Sequence, residues 1–138
     1  MTYSELLPLL TVESKDNGEI FTQTRRLEQI KSLLQHSPYE VLYEGKLSII
    51  YGKKDVTPTK ARLLVSSHID TVYDRCFCEE SDSYWKGTFD NSATNTALVQ
   101  LMLENKIGAP VLIAFSGDEE IESRGAQEVK RWFPQQTW

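Results

Sequence analysis

Residues 110–120 read PVLIAFSGDEE, and this stretch decides the fold class. Every position from Val111 to Phe115 is apolar. So short and continuous a run suits a strand covered on both faces, whereas a strand with one wet face would alternate. Gly117 breaks the run and delivers three acids in succession, Asp118, Glu119 and Glu120. Upstream, residues 61–70 (ARLLVSSHID) repeat the plan: an apolar run that also reads as a strand covered on both faces, ending at His68 and Asp70. Between the two strands, residues 91–105 carry Ala93, Ala97, Leu98, Leu101 and Met102, a helix with one buried stripe. Helix and buried-strand signals interleave. The expected class is therefore α/β, three layers α/β/α around a mixed, largely parallel central sheet.

Working outward, residues 4–12 (SELLPLLTV) form a short helix with Ser4 as its cap, followed by a polar turn at SKDNGE. From Thr22 to Gln35, Leu27, Ile30, Leu33 and Leu34 recur at helical spacing with charges between them, and Pro38 ends the pattern. YEVLYEG (39–45) and KLSIIYG (46–52) read as a hairpin or two adjacent strands. Residues 74–87 are polar and aromatic, a loop with one uncertain strand, and residues 125–133 are a last helix stopped by Pro134. No internal repeat is visible, and 138 residues correspond to a single domain, 1–138, or part of one.

Composition narrows the function classes. Hydrophobic residues make up 40% and aromatics 10%, enough for a packed core and too much for disorder. Lys and Arg number 15 against 20 Asp and Glu, and the resulting net charge of −5 disfavours nucleic acid and anionic membrane as partners. No apolar stretch approaches the roughly 18 residues of a membrane span, and MTYSELLPLL lacks the basic start of a signal peptide, so a cytoplasmic location is expected. Cys76 and Cys78 read as reduced thiols, since a soft metal pair would need further Cys or His nearby.

Three groups of candidate residues fall at strand ends or a helix start: His68 with Asp70, Asp90 with Asn91, and Asp118-Glu119-Glu120. In open α/β sheets ligands sit at the carboxyl ends of strands, where all three would meet. Taken singly, each has a structural reading: a hydrogen-bonded histidine, a helix N-cap, a solvated loop. Taken together, a neutral imidazole and several carboxylates are the ligand set of zinc or a similar divalent ion.

In this order the stretches VSSHIDTVYD (65–74), KGTFDNSATNTALVQLM (86–102) and VLIAFSGDEEIESRGA (111–126) resemble the co-catalytic zinc exopeptidase superfamily, which spans aminopeptidases, carboxypeptidases, dipeptidases and N-acyl-amino-acid deacylases. The resemblance implies that His68 ligates one metal, that Asp70 holds the His68 ring, that Asp90 bridges two metals, and that Glu120 ligates the other. It implies Glu119 as the general base toward metal-bound water. Neighbouring residues of an extended segment point opposite ways, which would let Glu120 hold metal while Glu119 faces water. Relatives also hold the peptide after the bridging aspartate in cis, and the same is expected at Asp90-Asn91. The implied cofactor is a pair of zinc ions, with cobalt or manganese as substitutes, and the implied substrate is a peptide or an N-acyl amino acid.

The family's site needs two further ligands downstream, a carboxylate and a histidine, and no histidine follows Glu120. The other histidine, His36, ends the first amphipathic helix and is not expected to ligate. The chain thus resembles the N-terminal part of the catalytic domain: a piece of a longer chain, a natural fragment or a degenerate homologue. Two function classes stand, a metallohydrolase whose remaining ligands come from elsewhere, and a non-enzymatic domain that binds a peptide or amino acid. Strands missing from the sheet would leave apolar surface near Trp132 and Trp138, favouring a homo-oligomer or association with a missing C-terminal segment.

Overall fold

The computed structural model describes residues 1–12, 24–54, 63–71, 75–108, 111–117 and 123–132. Its centre is strand β6 (Val111–Ser116), buried along nearly its whole length. Successive side chains leave opposite faces of the strand. Ile113 and Phe115 therefore pack on one side with Ile49 and Tyr51 of β2 (Ser48–Lys53), while Leu112 and Ala114 pack on the other with Ile50. Helices α1 (Tyr3–Leu10), α2 (Arg25–Leu34) and α3 (Ser92–Leu103) cover the first face through Leu6, Leu27, Ile30, Val99 and Met102. Helix α4 (Arg124–Trp132) covers the second through Val129. The three layers are as expected.

Strand β1 (Tyr39–Glu44) forms the anticipated hairpin with β2, and the sheet runs β1-β2-β6-β3, with β3 spanning Leu63–His68. It is mixed, but the pairing of β3 with β6 is its parallel part, while β1 with β2 and β2 with β6 are antiparallel. The parallel share is thus narrower than a largely parallel sheet would have, because β1 and β2 form a tight antiparallel hairpin whose second strand also lies antiparallel to β6. A second correction concerns β3. It is an edge strand among the described residues, with Leu63 and Ser66 exposed rather than covered on both faces. An apolar run alone does not reveal how many neighbours a strand will have.

The cap of α1 is Thr2, not Ser4. The Thr2 side chain accepts from the Glu5 amide and the Glu5 side chain reaches back to the Thr2 amide, a reciprocal capping box. The uncertain strand of residues 74–87 resolves into a small antiparallel hairpin, β4 (Cys78–Glu80) with β5 (Trp85–Gly87). Trp132 is half-buried, tilted against Tyr43 with ring centroids 5.9 Å apart, and Trp138 lies outside the described residues.

Helix α3 departs furthest from its expected face. Its buried residues are Ser92, Asn95, Thr96, Val99 and Met102, so of the anticipated stripe only Met102 is buried, and Leu101 is exposed. Polar side chains can replace apolar ones inside when every hydrogen-bonding atom is met, and here they are. Thr96 Oγ1 donates to the Ser92 carbonyl, and Ser92 Oγ accepts from Thr11 Oγ1 at 2.9 Å.

Tyr51, wedged edge-on against Phe115, shows what the core does to a titrating group. Burial, with the Glu44 charge adding, pushes its phenol up to about 12 from the ordinary 10. A folded pKa above the unfolded one means that this contribution is complete below pH 10 and is lost as the pH rises through 12. In alkaline denaturation, Tyr51→Phe is expected to flatten the loss of stability across that window. An unchanged alkaline limb would count against it.

Candidate functional site

Strand β3 ends at His68, and the next amide, Ile69 N–H, still continues the ladder by donating to the Ser116 carbonyl of β6 at 2.8 Å. This anchors the turn that carries Asp70. On the Nδ1 side of the His68 ring stand the Asp70 carbonyl oxygen at 3.2 Å and its carboxylate at 3.5 Å. Both can only accept, so Nδ1 carries the ring proton of the neutral imidazole. Nε2 faces the Asp90 carboxylate, with Oδ1 at 3.3 Å, as an ion pair when the ring is protonated and as a lone pair against an acceptor when it is neutral. In the neutral form two acceptors meet at this gap, an arrangement that calls for a cation or a proton between them.

Asp90 comes from a different part of the chain, the turn between β5 and α3. It does not serve as the helix cap: the N-cap is Asn91, which makes no side-chain cap bond. The Asp90 side chain is 61% exposed against 16% for His68, so one wall of the gap is covered and the other opens to solvent. The Asp90-Asn91 peptide is cis, as the resemblance implied.

Behind the ring lies a polar network not anticipated from the sequence. Ser67 Oγ donates to Asn95 Oδ1 at 2.6 Å and accepts from Asn91 Nδ2 at 2.8 Å. The Asn95 amide in turn donates to the His68 carbonyl at 3.1 Å. A second unanticipated residue is Arg26 of α2, fully buried, whose guanidinium donates to the carbonyls of Val12 and Ile69 and to Cys76 Sγ. The sequence pattern of α2 offers no sign of this, since arginine on a helix is normally a solvated charge. The spacing of Asn91 and Asn95, one helical turn apart behind a strand ending Ser-Ser-His, was the available signal for the amide pair.

His68, Asp70 and Asp90 are thus brought together. Glu119 and Glu120 lie outside the described residues, as does Asp118. Just before them, Gly117 donates to the Leu47 carbonyl, and its own carbonyl accepts from Gly125 at the start of α4. A Cβ on Gly125 would fall onto the Gly117 and Leu47 carbonyl oxygens, so the chain can pass here only as glycine. His36 is exposed past the end of α2. Neither Cys76 nor Cys78 is in a disulfide, and burial with the nearby Glu80 charge raises the Cys78 pKa, keeping it a thiol.

The donor set suits a borderline divalent ion, imidazole nitrogen with carboxylate oxygen. The 3.3 Å separation of Nε2 and Oδ1 is close to what two ligands of one tetrahedral ion keep, given bonds of about 2.0–2.2 Å. Among the described residues, however, no group of three or more His, Cys, Asp or Glu gathers to hold a metal. Nor is any helix among them long and apolar enough to cross a membrane.

An α/β domain with an imidazole and two carboxylates at the carboxyl edge of its sheet is the class these features define. No protein-family model matches the sequence, and no curated protein does. Among solved structures, the fold is shared with the aminopeptidase PepT from Bacillus cereus ATCC 10987, at a TM-score of 0.55 and 17% identity. The match covers 91% of this chain and 37% of that one, so this chain spans little more than a third of the aminopeptidase's length.

Proposed function

We propose that the chain is the N-terminal part of a metal-dependent hydrolase acting on peptide or N-acyl amide bonds. The observation carrying this reading is the gap between His68 Nε2 and Asp90 Oδ1, with Asp70 holding the opposite ring nitrogen. The fold shared with an aminopeptidase supports it. His68 and Asp90 would hold one ion, and Asp90 with Glu120 the other, zinc being the expected metal. A bound ion supplies an acidified water and polarises the scissile carbonyl. Asp70 keeps the His68 proton on Nδ1, so that Nε2 stays a donor of its lone pair. Glu119 accepts the proton of the attacking water and passes it to the leaving amine. The substrate, a peptide or an N-acyl amino acid, would lie over the exposed side of Asp90, and a cytoplasmic setting belongs to the same reading.

These residues give each ion two protein ligands, fewer than the three usual for catalytic zinc. The 138-residue chain alone is therefore expected to bind zinc weakly and to turn over neither dipeptides nor N-acetyl amino acids. Association with a further segment or a second copy would complete the shell. Zinc added to the isotope-labelled chain should move the NMR signals of His68, Asp90 and Asn91 before others, and Asp90→Ala should weaken that binding tenfold or more. Signals at these residues that stay still at millimolar zinc would overturn the metal reading. Turnover abolished by Glu119→Gln would overturn the expected inactivity while upholding the hydrolase.

A further inference from the structure

His68 and Asp90 approach one another from β3 and from the turn before α3, and the question is what sets their separation. At this point the contact between the two elements is polar, made by Ser67, Asn91 and Asn95. Ser67 and Asn95 are almost wholly buried, at 4% and 2% exposure, so their polar atoms depend on each other. The bonds run in one sense. Asn91 Nδ2 donates to Ser67 Oγ, Ser67 O–H donates to Asn95 Oδ1, and Asn95 Nδ2 donates to the His68 carbonyl, which also accepts from Asn91 Nδ2 at 3.4 Å. The circuit closes on the backbone of the histidine and starts from the residue bonded to Asp90. Each hydroxyl and amide has its role fixed by the next, which leaves one arrangement of β3 against α3.

We infer that Asn95 is a positioning residue: through the Ser67 hydroxyl and the His68 carbonyl it fixes the gap between His68 and Asp90, touching neither the gap nor anything that would fill it. The functional weight of the inference rests on the reading of that gap as a metal site. Its geometric part does not. Asn95 sits at the fourth residue of α3, where a polar side chain facing inward costs free energy unless paired, and its pairing is spent entirely on the strand that carries His68.

Three variants of the full chain separate positioning from plain stability. Asn95→Ala removes both bonds, Asn95→Asp keeps the acceptor for Ser67 but loses the donor to the His68 carbonyl, and Thr96→Val deletes a neighbouring buried hydroxyl whose bond stays within α3. In the metal-free chain, side-chain couplings and the cross-peaks between the His68 ring and Asp90 report the gap directly. Both Asn95 variants are expected to lose those cross-peaks and to show averaged His68 rotamers, whereas Thr96→Val lowers the melting temperature and keeps them. In zinc titrations followed by NMR, which read dissociation constants into the millimolar range, both Asn95 variants should bind about 10- to 100-fold more weakly than the parent, as loss of an outer partner does. Thr96→Val should bind as the parent does. Cross-peaks retained in both Asn95 variants overturn the inference. Cross-peaks lost in those variants, with no zinc bound by the parent chain, uphold the positioning role and overturn the metal reading.

Discussion

An Arg26→Ala chain is expected to lose roughly 3 kcal/mol or more of folding stability, a large share of the 5–15 kcal/mol that a domain of this kind possesses. The guanidinium is fully buried and bonds to the Val12 and Ile69 carbonyls and to Cys76. Truncation leaves a cavity the size of most of the side chain, and it leaves two carbonyl oxygens without their donor. Arg26→Met separates the two effects, since it refills the volume but restores no hydrogen bond. It should recover only part of the loss in urea denaturation. If the methionine variant matched the parent, the guanidinium would be contributing bulk and nothing else, and the account given of it would be wrong.

Phe115→Ala is expected to cost about 3–5 kcal/mol, the usual range for emptying an aromatic site in a packed interior. Phe115 has no exposed surface and meets Tyr51 edge-on at a centroid distance of 6.3 Å. On α3, by contrast, Leu101→Ala should change stability by no more than about 0.5 kcal/mol, because Leu101 points outward. The pair of variants tests which face of α3 is inside, with Phe115 as the buried reference. A Leu101→Ala loss comparable to that of Phe115→Ala would reverse the assignment of the α3 face.

That face marks the boundary of what could be read from residues alone. A continuous apolar run without alternation located β6 and its two covered sides, and periodicity located α2, because each signal is carried by neighbours in sequence. The inward face of α3 follows from Ser67, Thr11 and the His68 carbonyl, which lie far away in the chain. A periodicity argument counts apolar residues and so chose the wrong stripe. The cap of α1 was legible and was misplaced by two residues, since Thr2 with Glu5 three positions later is the reciprocal signature that Ser4 lacks. The meeting of His68 with Asp90 was anticipated from their places at element ends. The circuit that holds them there was not, because asparagine and serine are ordinary at a helix start and only the one-turn spacing of Asn91 and Asn95 hints at their burial.

The pairing of β3 with β6 also has a consequence for how the molecule comes together in time. Tyr39 finds Lys53 across a short hairpin, a closure that costs little chain entropy, whereas Leu63 must find Val111 with β4, β5 and α3 in between. Pairings so distant in sequence are slow to form. The histidine rides on the later strand. The chain is therefore expected to acquire its hairpin and its local helices first, and the gap between His68 and Asp90 among the last of its tertiary contacts.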